Sequence, residues 1–106
     1  MDLTQKKCKP CEGGVPPLTE EQTNSLLKQI PSWTIKEGNV FKQFKFKDFK
    51  EAMAFVNKVA GIAEQENHHP DITISYSQVS IGLWTHAING LSENDFILPA
   101  KIDDIK

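Results

Sequence analysis

All three histidines of the chain, His68, His69 and His86, fall within one stretch that opens on Glu64 and closes on Asp95. Imidazole gives or takes a proton near neutral pH, and a neighbouring carboxylate fixes its tautomer and raises its basicity. Two acidic side chains therefore bracket the groups best suited to moving protons. The chemistry this combination supports is acid–base catalysis, provided the fold gathers the histidines at one rim. Little outside the stretch offers material for another centre.

A metal site is the competing use of the same residues, because three histidines can hold zinc with one position open. His68 and His69 are adjacent, however. In an extended backbone neighbouring side chains point to opposite sides, which works against joint ligation. Taken alone, His69 reads as a cap or surface residue at a helix end.

The elements that must position these groups follow from pattern. Thr19-Glu20-Glu21-Gln22 has the form of a capping box, with an apolar stripe of Leu26, Leu27 and Ile30 behind it and Pro31 as a stop. Thr34 to Glu37 and Val40 to Phe46 flank Gly38-Asn39, which reads as a hairpin with a type II′ turn. Asp48, with Glu51 three residues on, begins a second helix. Its stripe is Phe49, Ala52, Met53, Val56, Val59, Ala60 and Ala63, and Pro70 is its expected end.

Two further strands are expected over roughly Asp71 to Tyr76 and Val79 to His86. In the second, Val79, Ile81, Leu83 and Thr85 share one face, and Ser80, Gly82, Trp84 and His86 the other. Tyr76 is expected to pair across the strands, and Trp84 to pack on the outer face or at an oligomer contact. A final helix starts near Ser92-Glu93-Asn94-Asp95, with Pro99 inside it as a source of kinking or shortening. The order α-β-β-α-β-β-α predicts an α+β fold, a four-stranded antiparallel sheet with three helices packed on one face.

The register of the second hairpin decides where the histidines go. A turn centred on Ser77 sets His68 beside His86, whereas a two-residue turn at Ser77-Gln78 sets His69 opposite His86. Glu64 lies one helical turn before His68 and is expected on its side. Asp95 brings the last helix back to the same rim.

A chain of 106 residues fits one domain and can bury one core, with oligomerisation a natural support at this size. Residues 1–17, with five Pro and Gly and no apolar period, read as an irregular arm, and residues 18–106 as the domain. Cys8 and Cys11 sit in that arm, without a preceding strand for a redox motif or a second pair for zinc, and read as two thiols. The start carries no apolar leader, so a cytoplasmic location is expected. No apolar run reaches the length of a membrane span. In Phe41-Lys42-Gln43-Phe44-Lys45-Phe46-Lys47, aromatics alternate with lysines as in a stacking platform for single-stranded nucleic acid. Strand alternation, phenylalanines inward and lysines solvated, explains the same pattern, and the net charge of −2 argues against a nucleic-acid partner.

Glu64-x-x-x-His68-His69-Pro70, followed by Tyr76, His86 and Asp95, resembles the signature of the pterin-4a-carbinolamine dehydratases. Thr85-His86, Gly90-Leu91-Ser92-Glu93-x-Asp95 and Phe41-Lys42-Gln43-Phe44-x-Phe46-Lys47-Asp48-Phe49 extend the resemblance over roughly residues 19–106. It implies a lyase that removes water from 4a-hydroxytetrahydropterin in the recycling of a tetrahydropterin cofactor. It also implies dimers or tetramers, a pterin as substrate, and no metal or organic cofactor. By the same resemblance His68 and His86 transfer protons, and His69 helps to hold the pterin and assists. Glu64 and Asp95 orient the histidines, and His69, Pro70, Asp71, Ile72 and Thr73 border the substrate. Some animal members of the family also bind a transcription factor through a helical surface, the non-enzymatic alternative. A pterin-binding relative serving folate or molybdopterin metabolism is another.

Overall fold

The computed structural model describes residue 3 and residues 17–85 and 90–105. Cys8, Cys11 and His86 lie outside those residues.

Helix α1 (Glu20–Leu27) starts on the expected capping box: the Thr19 hydroxyl accepts from the Gln22 amide, and the Gln22 side chain accepts from the Thr19 amide. Strands β1 (Thr34–Lys36) and β2 (Asn39–Lys45) form the first hairpin. Lys36 pairs with Asn39, so the two turn residues are Glu37 and Gly38, both at positive φ, 52° and 81°. That is a type I′ pattern rather than the expected type II′ around Gly38-Asn39. The twist of a type I′ turn matches the strands, and Asn39 serves as the first residue of β2, its side-chain Nδ2 donating to the Glu37 carbonyl.

Helix α2 (Phe49–Glu66) is capped by the Asp48 carboxylate on the Glu51 amide. It buries Ala52, Val59 and Ala63, with Phe55, Val56 and Ile62 packed at the margin. Phe49 and Ala60, expected on the stripe, lie exposed. The helix ends at Asn67, not at Pro70. Asn67 takes the left-handed conformation (φ 53°) and its amide reaches back to the carbonyls of Ala63 and Glu64. Asparagine tolerates that conformation better than most residues, so it closes the helix before proline is reached.

Strands β3 (Asp71–Ser75) and β4 (Gln78–Leu83) complete an antiparallel sheet of order β1-β2-β4-β3. Val40, Val79, Ile81 and Leu83 point to the face that carries the helices and are buried. The alternation read along β4 holds, Thr85 included. Along β2 it differs from the expectation. Lys42 shares a face with Phe44 and Phe46, and its ammonium lies over the Phe44 ring at 4.6 Å and donates to Asp103 and Ser32. Phe41 lies on the opposite face, beneath Lys36. The lysine turns inward because Asp103 and the rings of Phe44 and Trp33 give its charge partners there.

Helix α3 (Asn94–Asp103) runs through Pro99. The ring removes one backbone bond at a cost of about 3 kcal/mol in a helix interior. Phe96, Ile97, Leu98 and Ile102 are all buried on that helix, and each such side chain contributes about 1.5–3 kcal/mol, so burial outweighs the lost bond. Leu3 joins the same core.

Candidate active site

The left-handed Asn67 turns the chain sharply off the end of α2. The His68 amide bonds to the Ala63 carbonyl at 3.1 Å, which holds His68 against the last turn of the helix. From there the two adjacent imidazoles part. His68 Nε2 lies 2.7 Å from Asp95 Oδ1, and the Asp95 side chain is wholly buried. His69 Nε2 lies 2.7 Å from Glu64 Oε1, but these side chains are 57% and 78% exposed.

Glu64 therefore serves His69 and not His68, contrary to the helical count. That count assumed the helix would persist to His68, and Asn67 breaks it one residue earlier. The position of His69 at the surface agrees with its reading as a residue outside the interior.

Asp95 sits in the first turn of α3, its amide bonded to the Ser92 carbonyl at 3.0 Å. Its Oδ2 accepts from the Ser92 amide at 2.9 Å and from the Thr85 hydroxyl at 2.8 Å. The Thr85 and Ser92 hydroxyls are themselves 2.9 Å apart. Thr85, just past the end of β4, is fixed by a two-way backbone bridge to Gly90. A buried carboxylate is costly unless its oxygens are filled, and here they are. No buried polar side-chain atom lacks a partner among the described residues.

The hairpin register explains why Thr85 occupies this place. Ser75 pairs with Gln78, so Tyr76 and Ser77 are the turn, Tyr76 at φ 53° and exposed. Tyr76 thus does not pair across the strands. Both expected turns lay further along the chain. With the observed turn, the count carried back to His68 reaches Thr85. Its signal in the sequence was a hydroxyl on the buried face of β4, where a polar group requires a partner. Ser92 was legible only as the start of the last helix, and its amide bond to the Asp95 carboxylate agrees with that.

Among the residues expected to border a substrate, Asp71 and Thr73 lie on the open face of the sheet. There they line a shallow cavity of about 220 Å³ with Lys36, Glu37, Asn39, Phe41, Ser80 and Gly82. Ile72 pairs with Ile81 and points to the helix face. Among the described residues no three His, Cys, Asp or Glu side chains gather as a metal group would require. None of the described helices is long and apolar enough to cross a membrane. The arrangement can hold one partly buried imidazole by a dry carboxylate, with a second imidazole close in sequence but in water.

Comparison with known proteins gives consistent results. The family model described as pterin 4 alpha carbinolamine dehydratase matches residues 16–105. A protein of Nitrosomonas eutropha, provisionally named pterin-4-alpha-carbinolamine dehydratase, is 52% identical over 96% of this chain and 91% of its own. One of Rickettsia bellii with the same provisional name is 52% identical over 95% of this chain and 91% of its own. A crystal structure described as transcriptional coactivator/pterin dehydratase from Brucella melitensis superposes with a TM-score of 0.77 at 34% identity. It covers 82% of this chain and 95% of the other.

Proposed function

This chain belongs to the pterin 4 alpha carbinolamine dehydratase family, and on that premise we propose that it dehydrates a 4a-hydroxytetrahydropterin to the quinonoid dihydropterin. The reaction is a hydro-lyase step. The C4a hydroxyl leaves as water after taking a proton, N5 gives up its proton, and the N5 lone pair closes the C4a–N5 double bond. The nitrogen already pushes hydroxide out, so the protein's task is proton management rather than a large electronic change. Positioned acid–base groups contribute about 10²–10⁴-fold to such steps.

The observation that supports this reading is the pair of His68 and the buried Asp95 at 2.7 Å. In this scheme His68 and His86 exchange protons with the pterin. His69, held by Glu64, helps to retain the ring, with Pro70, Asp71, Ile72 and Thr73 along its edge. The pterin is substrate, and the scheme uses neither metal nor organic cofactor. We place the activity in the cytoplasm, in recycling of a tetrahydropterin after aromatic hydroxylation, in a homodimer or homotetramer.

The test is direct. A 4a-hydroxytetrahydropterin generated enzymatically is followed by absorbance as it dehydrates, with and without the protein. Acceleration proportional to protein concentration, lost in His68→Ala and His86→Ala proteins that keep their circular dichroism, is the expected result. A decay rate the same with and without the wild-type protein overturns the assignment.

A further inference from the structure

Asp95 is held by more than its histidine. Its Oδ2 accepts from the Ser92 amide and from the Thr85 hydroxyl, and Oδ1 faces His68 Nε2. As a carboxylate it can only accept. Thr85 has a single hydroxyl proton, and it goes to Asp95. At 2.9 Å from Thr85, the Ser92 hydroxyl must then be the donor of that pair. The three groups form a one-way chain of protons, from Ser92 to Thr85 to Asp95.

The remaining acceptor, Oδ1, requires a hydrogen on His68 Nε2. In the neutral imidazole the lone pair is then on Nδ1. Nδ1 takes no partner among the described residues, and the His68 side chain keeps about a tenth of its surface exposed (12%). Nδ1 is therefore the nitrogen that Asp95 leaves available.

We propose that Thr85 is a positioning residue: by donating to Asp95 it fixes the carboxylate's rotation, and so keeps His68 in the Nε2–H tautomer with Nδ1 as its working nitrogen. Thr85 does not touch the substrate and acts through Asp95 and His68. Its backbone is held by the bridge to Gly90, and the residue is only 4% exposed, which confines the hydroxyl beside Asp95. Without it, Oδ2 keeps only the Ser92 amide, and the carboxylate can rotate away from Nε2. The mechanistic part of this inference rests on the dehydratase reading, and the tautomer does not.

The test uses the full chain labelled with ¹⁵N-histidine, observed by long-range ¹H–¹⁵N correlation at mildly alkaline pH, alongside the dehydration assay. The wild type should show a protonated Nε2 and an unprotonated Nδ1 at His68. Thr85→Val, nearly isosteric, should mix the two tautomers. It should also lower kcat by about 10–100-fold, the size of losing a hydrogen bond to a charged group, with KM changed less than about threefold. Thr85→Ser should restore the tautomer and most of kcat. A wild-type spectrum with the proton on Nδ1 overturns the proposal whether or not any variant folds. A folded Thr85→Val protein with the wild-type tautomer overturns it as well. Absence of dehydration by the wild type, with Nε2 protonated, instead removes the dehydratase reading.

Discussion

Removing the Asp103 carboxylate should be the most informative single test of how the last helix is fastened to the sheet. Both Asp103 oxygens accept from the Trp33 indole, at 3.1 and 3.0 Å, and Oδ1 also lies 3.1 Å from the Lys42 ammonium. Trp33 is only 3% exposed, so its N–H has no easy recourse to water. Leaving such a donor unpaired costs about 1–3 kcal/mol. The ion pair is a smaller matter, because Lys42 and Asp103 side chains are 22% and 29% exposed, and solvent screening leaves such pairs about 0.5 kcal/mol. Asp103→Ala should therefore destabilise by about 1.5–3.5 kcal/mol, which lowers Tm by about 7–16 °C in a domain of this size. Asp103→Asn keeps an oxygen for the indole and loses only the ion pair, so it should cost less than about 1 kcal/mol. Urea unfolding followed by circular dichroism and tryptophan fluorescence gives both numbers. An Asp103→Ala protein within about 0.5 kcal/mol of wild type refutes the reasoning, as does an Asp103→Asn protein as unstable as Asp103→Ala.

Asp95→Asn retains an oxygen for Ser92 and Thr85 but turns an amide N–H₂ towards His68 Nε2. Its dehydration rate should fall by about 10²–10⁴-fold with the circular dichroism spectrum unchanged. Glu64→Gln touches only an exposed pair, so stability should stay within about 0.5 kcal/mol in a urea titration, and kcat should stay within about threefold. Tyr76→Asn relieves a left-handed backbone at an exposed residue. The urea midpoint should rise by the equivalent of about 0.5–1 kcal/mol at constant slope.

Much of this fold was legible because local and tertiary signals agreed. Thr19 and Gln22, Asp48 and Glu51, and the alternation along β4 each specified an element by one mechanism that the tertiary structure did not oppose. The misplaced turns and helix end share one cause: left-handed residues that are not glycine. Glu37, Asn67 and Tyr76 all take positive φ, and each moved a turn or a helix end by one or more residues. The shift at Tyr76 changed which residue the strand count sets against His68. The shift at Asn67 gave Glu64 to His69. Within the site, Asp95 was readable from its type and spacing. Thr85 needed the face of β4 and the register together, and Ser92 needed the turn into α3. Lys42 was read as solvated because alternation alone cannot show that an acid seventy positions from Trp33 will return beneath it.

The sharp bend at Asn67 means that two neighbouring imidazoles cannot substitute for one another. One is backed by a carboxylate in a dry interior, where mobile ions do not penetrate. The other leans on a glutamate in open water, where screening over about 8–10 Å at ordinary ionic strength weakens the attraction. Wherever the imidazoles carry charge, added salt should thus loosen the outer pair and leave the inner one alone.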